Sequence, residues 1–137
     1  MQTAENAVWQ MFRQANASAL RCLYFNVACG TVPGWSPDQS DQEQRDRAAV
    51  WSKKVDVMAE TDAEVWLIEV KLAARASSVG QVLQYVPLVA VRKAAWATAR
   101  PLLIAGSFDP DALSLCGTLG VECYAPPFSP LKPRVRA

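Results

Sequence analysis

The sequence predicts an α/β domain, a mixed central sheet with helices on its faces, and three observations predict it. Helical periodicity opens the chain and returns after residue 78. Between these stretches lie apolar segments rich in β-branched and aromatic residues. Two of those segments meet at a tight polar connection, Asp62-Ala63, which reads as a hairpin turn. In order the elements are α-β-β-β-α-β, followed by an extra C-terminal α-β.

The first helix, "TAENAVWQMFRQANASAL", sets Ala7, Val8, Met11, Phe12 and Ala15 on one face, with Thr3 as its N-cap. "RCLYFNVACG" follows as a strand ending at Gly30. "TVPGWSPDQSDQEQRDR" is polar with two prolines, which marks a long loop or a short surface helix. Two strands come next, over 53–61 and 64–71. "SVGQVLQYVPLVAVRKAAWATA" is helical, capped by Ser77 or Ser78, with Pro87 expected to kink or split it. "PLLIAGS" is a short buried strand, "DPDALSLCGTLG" a helix from Asp109 to Gly120, and "VECYAPP" a last strand. Residues 1–128 form one domain, and 129–137 a basic, Pro-containing tail.

Composition bounds the function. A chain of 137 residues, 51% hydrophobic and 20% charged, is a single globular domain large enough for a real core. Its apolar runs are shorter than a membrane span, and "MQTAENAVWQMFRQ" lacks a basic start followed by an apolar run. A cytoplasmic protein is expected, or a virion-associated one if phage-encoded. Cys22, Cys29, Cys116 and Cys123 could form two disulfides or a zinc site, but they lack the short gaps of zinc knuckles and, with no secretion signal, read as small buried thiols. The absence of histidine excludes Ser-His-Asp and Cys-His nucleophilic systems and His-based zinc hydrolases. Hydrolytic chemistry would then rest on carboxylates, a Lys or Tyr, and a hard metal ion bound through oxygen.

Net charge is +1 but uneven: residues 1–70 carry 6 basic and 10 acidic side chains, residues 71–137 carry 8 and 3. Arg92, Lys93, Arg100, Lys132, Arg134 and Arg136 are available to a polyanion, or form an ordinary solvated surface with a loose tail. Trp9, Trp66 and Trp96 fall in helix or strand patterns and read as core. Trp35 and Trp51 flank the polar loop and are better placed for a partner, whereas Arg45 and Arg47 reach phosphates or pair with Asp41 and Asp46.

The chemistry concentrates in "VDVMAETDAEVWLIEVK". A hairpin closed at Asp62-Ala63 places Asp56 directly opposite Glu69, with Cβ atoms about 5 Å apart on one face. Lys71, two residues beyond Glu69, shares that face, while Val55, Val57, Ile68 and Val70 fall on the other as core. Two carboxylates so close repel unless a cation neutralises them, and a divalent ion with oxygen ligands does so. The competing reading is a surface salt bridge of Asp56 and Glu69 against Lys71. The following helix adds Gln81 and Tyr85 at i, i+4, and its N-terminus beside the end of the Lys71 strand favours a phosphate.

Asp56, then "EVK" at Glu69 to Lys71, then "QVLQY" from Gln81 to Tyr85, resemble the PD-(D/E)XK nuclease superfamily, and within it the RecB-like branch with a helical Q-x-x-x-Y. The element order is also that of its restriction-endonuclease-like core, so the resemblance spans nearly the whole chain. It implies that Asp56 and Glu69 hold Mg²⁺ or Mn²⁺ with the Val70 carbonyl. It implies that Lys71 positions or activates the attacking water, and that Gln81 orients the lysine or the phosphate. Tyr85 would support the site or stack on the nucleic acid, and Glu5 is the one candidate for the extra acid members carry on the first helix. Val55 stands where many members have proline, and the cysteines do not match the iron–sulfur branches. No "GxxxxGK[ST]" occurs, so any motor is a separate protein. The implied activity is phosphodiester hydrolysis of nucleic acid, DNA by family analogy. The alternative is a silent scaffold or nucleic-acid-binding subunit of a larger assembly; a homodimer is compatible with either.

Overall fold

A computed structural model of the chain describes residues 1–30, 38–51 and 53–134, with the side chains of 47–51 left out. The elements are α1 (Thr3–Ala15), β1 (Leu20–Cys29), α2 (Asp41–Trp51), β2 (Lys53–Thr61), β3 (Val65–Ala74), α3 (Ala76–Arg92), β4 (Arg100–Phe108), α4 (Pro110–Leu119) and β5 (Glu122–Tyr124). A single 3₁₀ turn, Ala94–Trp96, joins α3 to β4. The polar segment after β1 thus contributes a surface helix inside the expected order. Residues 31–37, Trp35 among them, lie outside the described residues, as does the Trp51 side chain.

The five strands lie in sequence order across one mixed sheet. β1–β2 and β2–β3 are antiparallel, and β3–β4 and β4–β5 parallel. A parallel neighbour needs a crossover, and α3 supplies it between β3 and β4, as α4 does between β4 and β5. Each face carries its own core. Val8, Trp9 and Phe12 of α1 pack on Val57, Trp66, Ile68, Val70, Leu102 and Ile104. On the opposite face Val79, Val82, Tyr85 and Val89 of α3 and Ala112 and Cys116 of α4 cover Val55, Met58, Leu67 and Leu103.

The expectations meet these elements unevenly. The α1 face is narrower than expected, since Ala7 and Met11 are exposed and Trp9 takes their place in the core. Its cap is Gln2, not Thr3, and Glu5 accepts the Gln2 N–H at 3.0 Å. α3 runs unbroken through Pro87 and starts at Ala76, before the serines expected to cap it. α4 follows its signals: Asp109 accepts from Ala112 N at 2.7 Å, and Gly120 takes a left-handed conformation (φ 72°). Trp66 and Trp96 are buried, as their patterns suggest.

Four cysteines read as thiols are in fact two: Cys116 and Cys123 are joined by a disulfide, Cys29 is buried and Cys22 exposed. α4 and the β5 return bring the pair together, a proximity that spacing alone did not reveal. Three basic residues offered to a polyanion are engaged by carboxylates: Lys93 with Glu60, Arg100 with Glu64 and Glu122, and Arg134 with Glu64. Through that last contact, and through Leu131 N donating to Asn16 Oδ1 at 2.8 Å, the segment after β5 is pinned to the domain. Phe128 packs edge-on to Phe12. Among the described residues Arg45 donates to Gln42 Oε1, and the Arg47 side chain lies outside them.

One irregularity bears on the site. Asn26 has φ 51°, a left-handed conformation that asparagine tolerates better than most residues. It lies between the pairs Phe25↔Val57 and Val27↔Val55, at the step that Asp56 occupies in β2. Strand alternation would keep residues 55 and 57 on one side. Instead Val57 joins the α1 core and Val55 and Val27 join the α3 core, so the expectation that Val55 and Val57 share a face fails here.

Candidate active site

The hairpin has the register that a turn at Asp62-Ala63 requires. Thr61 N donates to Glu64 O at 2.9 Å, its hydroxyl caps the turn, and the ladder proceeds from Glu60↔Val65 to Val57↔Ile68. The ladder ends there, one step short of Asp56 and Glu69. There carboxylates take the place of backbone acceptors. Asp56 N donates to Glu69 Oε1 at 3.0 Å, and Val70 N donates to Asp56 Oδ2 at 2.9 Å. The two bonds fix both carboxyl groups in one orientation, because a backbone amide cannot rotate away.

Glu69 is 2% exposed, Asp56 half-buried. Lys71 Nζ stands 4.0 Å from Glu69 Oε2 with its side chain partly open to solvent. Burial, and then the Asp56 charge, push the Glu69 carboxyl up to about 8; the Asp56 amide and Lys71 pull the other way. Burial likewise raises Asp56, against the Val70 amide and Lys71, and the charge of Glu5 on α1 adds to the rise. Glu5, half-buried in the first turn of α1, therefore lies within electrostatic reach of the pair.

α3 provides the other two predicted residues. Gln81 Nε2 donates to the Tyr85 hydroxyl at 2.9 Å, the i, i+4 contact their spacing requires. Tyr85 is buried, and burial raises its phenol, with Glu69 among the charges acting on it. α3 begins two residues after β3 ends, which places its N-terminus beside the strand carrying Lys71.

Asp56, Glu69, Lys71 and the Gln81–Tyr85 pair are thus gathered around one end of the β2–β3 hairpin. Cys29 is the buried thiol that the sequence suggested, but its place within electrostatic reach of Glu69 was not legible there. Burial raises the Cys29 thiol, Arg92 and Lys53 oppose that, and Glu69 adds to it. Sequence reasoning missed Asn26, an amide inside an apolar strand, which is the local signal for a bulge. Among the described residues no three His, Cys, Asp or Glu side chains form a cluster able to hold a metal. The oxygen donors at hand are two carboxylates and backbone carbonyls.

No protein-family model matches the chain, and no curated protein matches it in sequence. Among solved structures it is similar to the crystal structure of a protein of unknown function, AF1548, at 13% identity and a TM-score of 0.52. The match covers 87% of this chain but 54% of that one, so the chain spans about half the length of its structural neighbour. At that identity the likeness is one of fold, and it establishes a shared α/β architecture.

Proposed function

We propose that the chain is a metal-dependent nuclease of the PD-(D/E)XK type, hydrolysing a phosphodiester of nucleic acid at Asp56, Glu69 and Lys71. The observation that carries the reading is the crossed pair of hydrogen bonds, Asp56 N to Glu69 and Val70 N to Asp56. They hold each carboxylate against the other's strand, with an ammonium 4.0 Å from Glu69, an arrangement a plain salt bridge does not need. Each carboxylate keeps a second oxygen, Asp56 Oδ1 and Glu69 Oε2, uncommitted to backbone amides among the described residues. Those oxygens fit Mg²⁺ or Mn²⁺, since such hard ions take one or two carboxylates and complete their shell with water and phosphate. Val70 carries the carbonyl a third ligand would use.

When bound, a divalent ion supplies positive charge at the phosphate and acidifies water. The rest falls to the chain. Lys71 orients the attacking water and stabilises charge on the phosphate. Gln81, held by the Tyr85 hydroxyl, positions the lysine or a phosphate oxygen. The α3 N-terminus favours the anion electrostatically. DNA is the expected substrate by family analogy.

Purified protein is incubated with single- and double-stranded DNA and RNA, with Mg²⁺, Mn²⁺ or chelator, beside Lys71→Ala and Asp56→Ala. Metal-dependent cleavage that both variants lose is the expected outcome. Cleavage surviving in either variant removes the site assignment. A second reading, a silent scaffold or nucleic-acid-binding subunit, is favoured by the amides that already satisfy one oxygen of each carboxylate. Wild type that binds but cuts no substrate with either metal selects it.

A further inference from the structure

A cleft of about 430 Å³ opens between the first turns of α1 and the middle of β1. That volume is within the range of small-molecule sites. Its lining includes Asn6, Trp9, Gln10, Phe25 and Asn26. Phe25 is 47% exposed and meets Trp9 edge-on, ring centres 5.9 Å apart at 80°. Trp9 itself is 1% exposed, and its Nε1–H is buried without an acceptor among the described residues. An unpaired buried donor is costly.

The cleft adjoins the chemistry. Asn26 occupies the β1 step that Asp56 occupies in β2, and Glu5, on the same turn of α1, acts on Asp56. The lining offers an exposed ring and several side-chain amides, each both donor and acceptor, and Met1 adds the terminal ammonium, whose charge also acts on Asp56. The ring and the amides suit a planar group with donors and acceptors along its edge, and the ammonium suits the phosphate joined to it. A nucleobase has that chemistry, and an aromatic ring binds any base by its face.

We propose that this cleft takes the base of a nucleotide neighbouring the cleaved phosphate, so that the substrate is single-stranded or locally unpaired nucleic acid. A paired base is held in its stack and is not available to the Phe25 ring. The proposal rests on the nuclease reading for the position of the phosphate, and the test separates the two.

A fluorescent single-stranded DNA of about 10 nucleotides, on the scale of sites on single strands, is titrated in chelator with wild type and Phe25→Leu. Leucine keeps an apolar contact with Trp9 but removes the ring. A companion series carries one abasic nucleotide moved along the strand. The expected result is that one abasic position weakens wild-type binding about 10-fold or more. Phe25→Leu should weaken the intact strand by the same factor and lose the dependence on abasic position. Gln10→Ala, on the exposed side of α1, should lower affinity a few-fold at the same position even if Phe25→Leu fails to fold. A flat abasic series, or no binding, overturns the proposal. Equal cleavage of duplex and single strand with a flat series leaves the nuclease reading standing and removes this one. Position-dependent binding without cleavage in any metal keeps the cleft and removes the nuclease reading.

Discussion

Asp56 and Glu69 are bound to each other through the backbone: the Asp56 amide donates to the Glu69 carboxylate, and the Val70 amide donates to the Asp56 carboxylate. Either side chain therefore holds the other's strand as well as its own. Aspartate-to-asparagine exchange at Asp56 keeps an acceptor for Val70 N but removes the charge. Asp56→Asn is expected to fold like wild type by circular dichroism while losing cleavage by about 100-fold or more, the scale of an electrostatic group acting on the transition state. Retained cleavage would count against the pair as the reacting centre.

Glu69 also predicts a dependence of stability on pH. Its carboxyl titrates near 4.5 when free and about 8 when folded. A raised carboxyl favours its protonated form in the folded state. Its stabilising effect is thus complete below the unfolded value and is lost as pH rises through the folded one. Without divalent ions, urea stability should fall between pH 5 and 8, by on the order of a few kcal/mol. Glu69→Gln should flatten that slope, and Mg²⁺ should restore much of the loss in wild type but not in the variant. A slope unchanged by Glu69→Gln would place the titration elsewhere.

Tyr85→Phe removes the acceptor of Gln81 Nε2 while keeping the buried ring. The expected cost in stability is about 1 kcal/mol. Cleavage should fall by less than in Lys71→Ala, because Gln81 remains present but unguided. Parallel denaturation and single-turnover rates separate the two effects.

Gly106 has no room for a side chain: a Cβ there would stand 2.9 Å from the Leu72 carbonyl on the neighbouring strand. A backbone atom cannot swing aside, so Gly106→Ala should destabilise by about 1–3 kcal/mol. Since Leu72 follows Lys71, cleavage should fall together with the melting temperature. Unchanged stability would show that β3 and β4 separate more readily than this packing allows.

Away from the site, Glu64 accepts from Arg100, from Trp66 Nε1 and from Arg134 N, all with its own side chain buried. Glu64→Ala leaves the buried guanidinium with Glu122 and the Lys132 carbonyl only. The loss should be about 3 kcal/mol, because removing one partner strands the other. Differential scanning calorimetry of the variant checks it.

The contrast between Glu64 and Glu69 shows what the sequence carried and what it did not. Glu69 was legible because a two-residue turn fixes the pairing of the hairpin, and pairing by period two fixes which side chains meet. The Glu64–Arg100 pair spans 36 residues across a crossover, and no local period links its members, so Arg100 read as surface charge. Cys116–Cys123 escaped for a similar reason, as did the pinning of residues 128–134 by Asn16 and Glu64. The Val55 error has a different cause: alternation was assumed through a strand whose neighbour contains an asparagine in a left-handed conformation.

That step at Asn26 and Asp56 has a consequence for how the site is assembled. A regular sheet is a partition, and a side chain on one surface has no access to what packs on the other. Where the two strands reverse their facing together, the partition is breached. Glu5 from the α1 layer then acts on Asp56, and the carboxylate pair acts on Tyr85 from the α3 layer. The chain draws on both layers without inserting a loop between them, which is one way for so short a domain to surround a buried carboxylate pair.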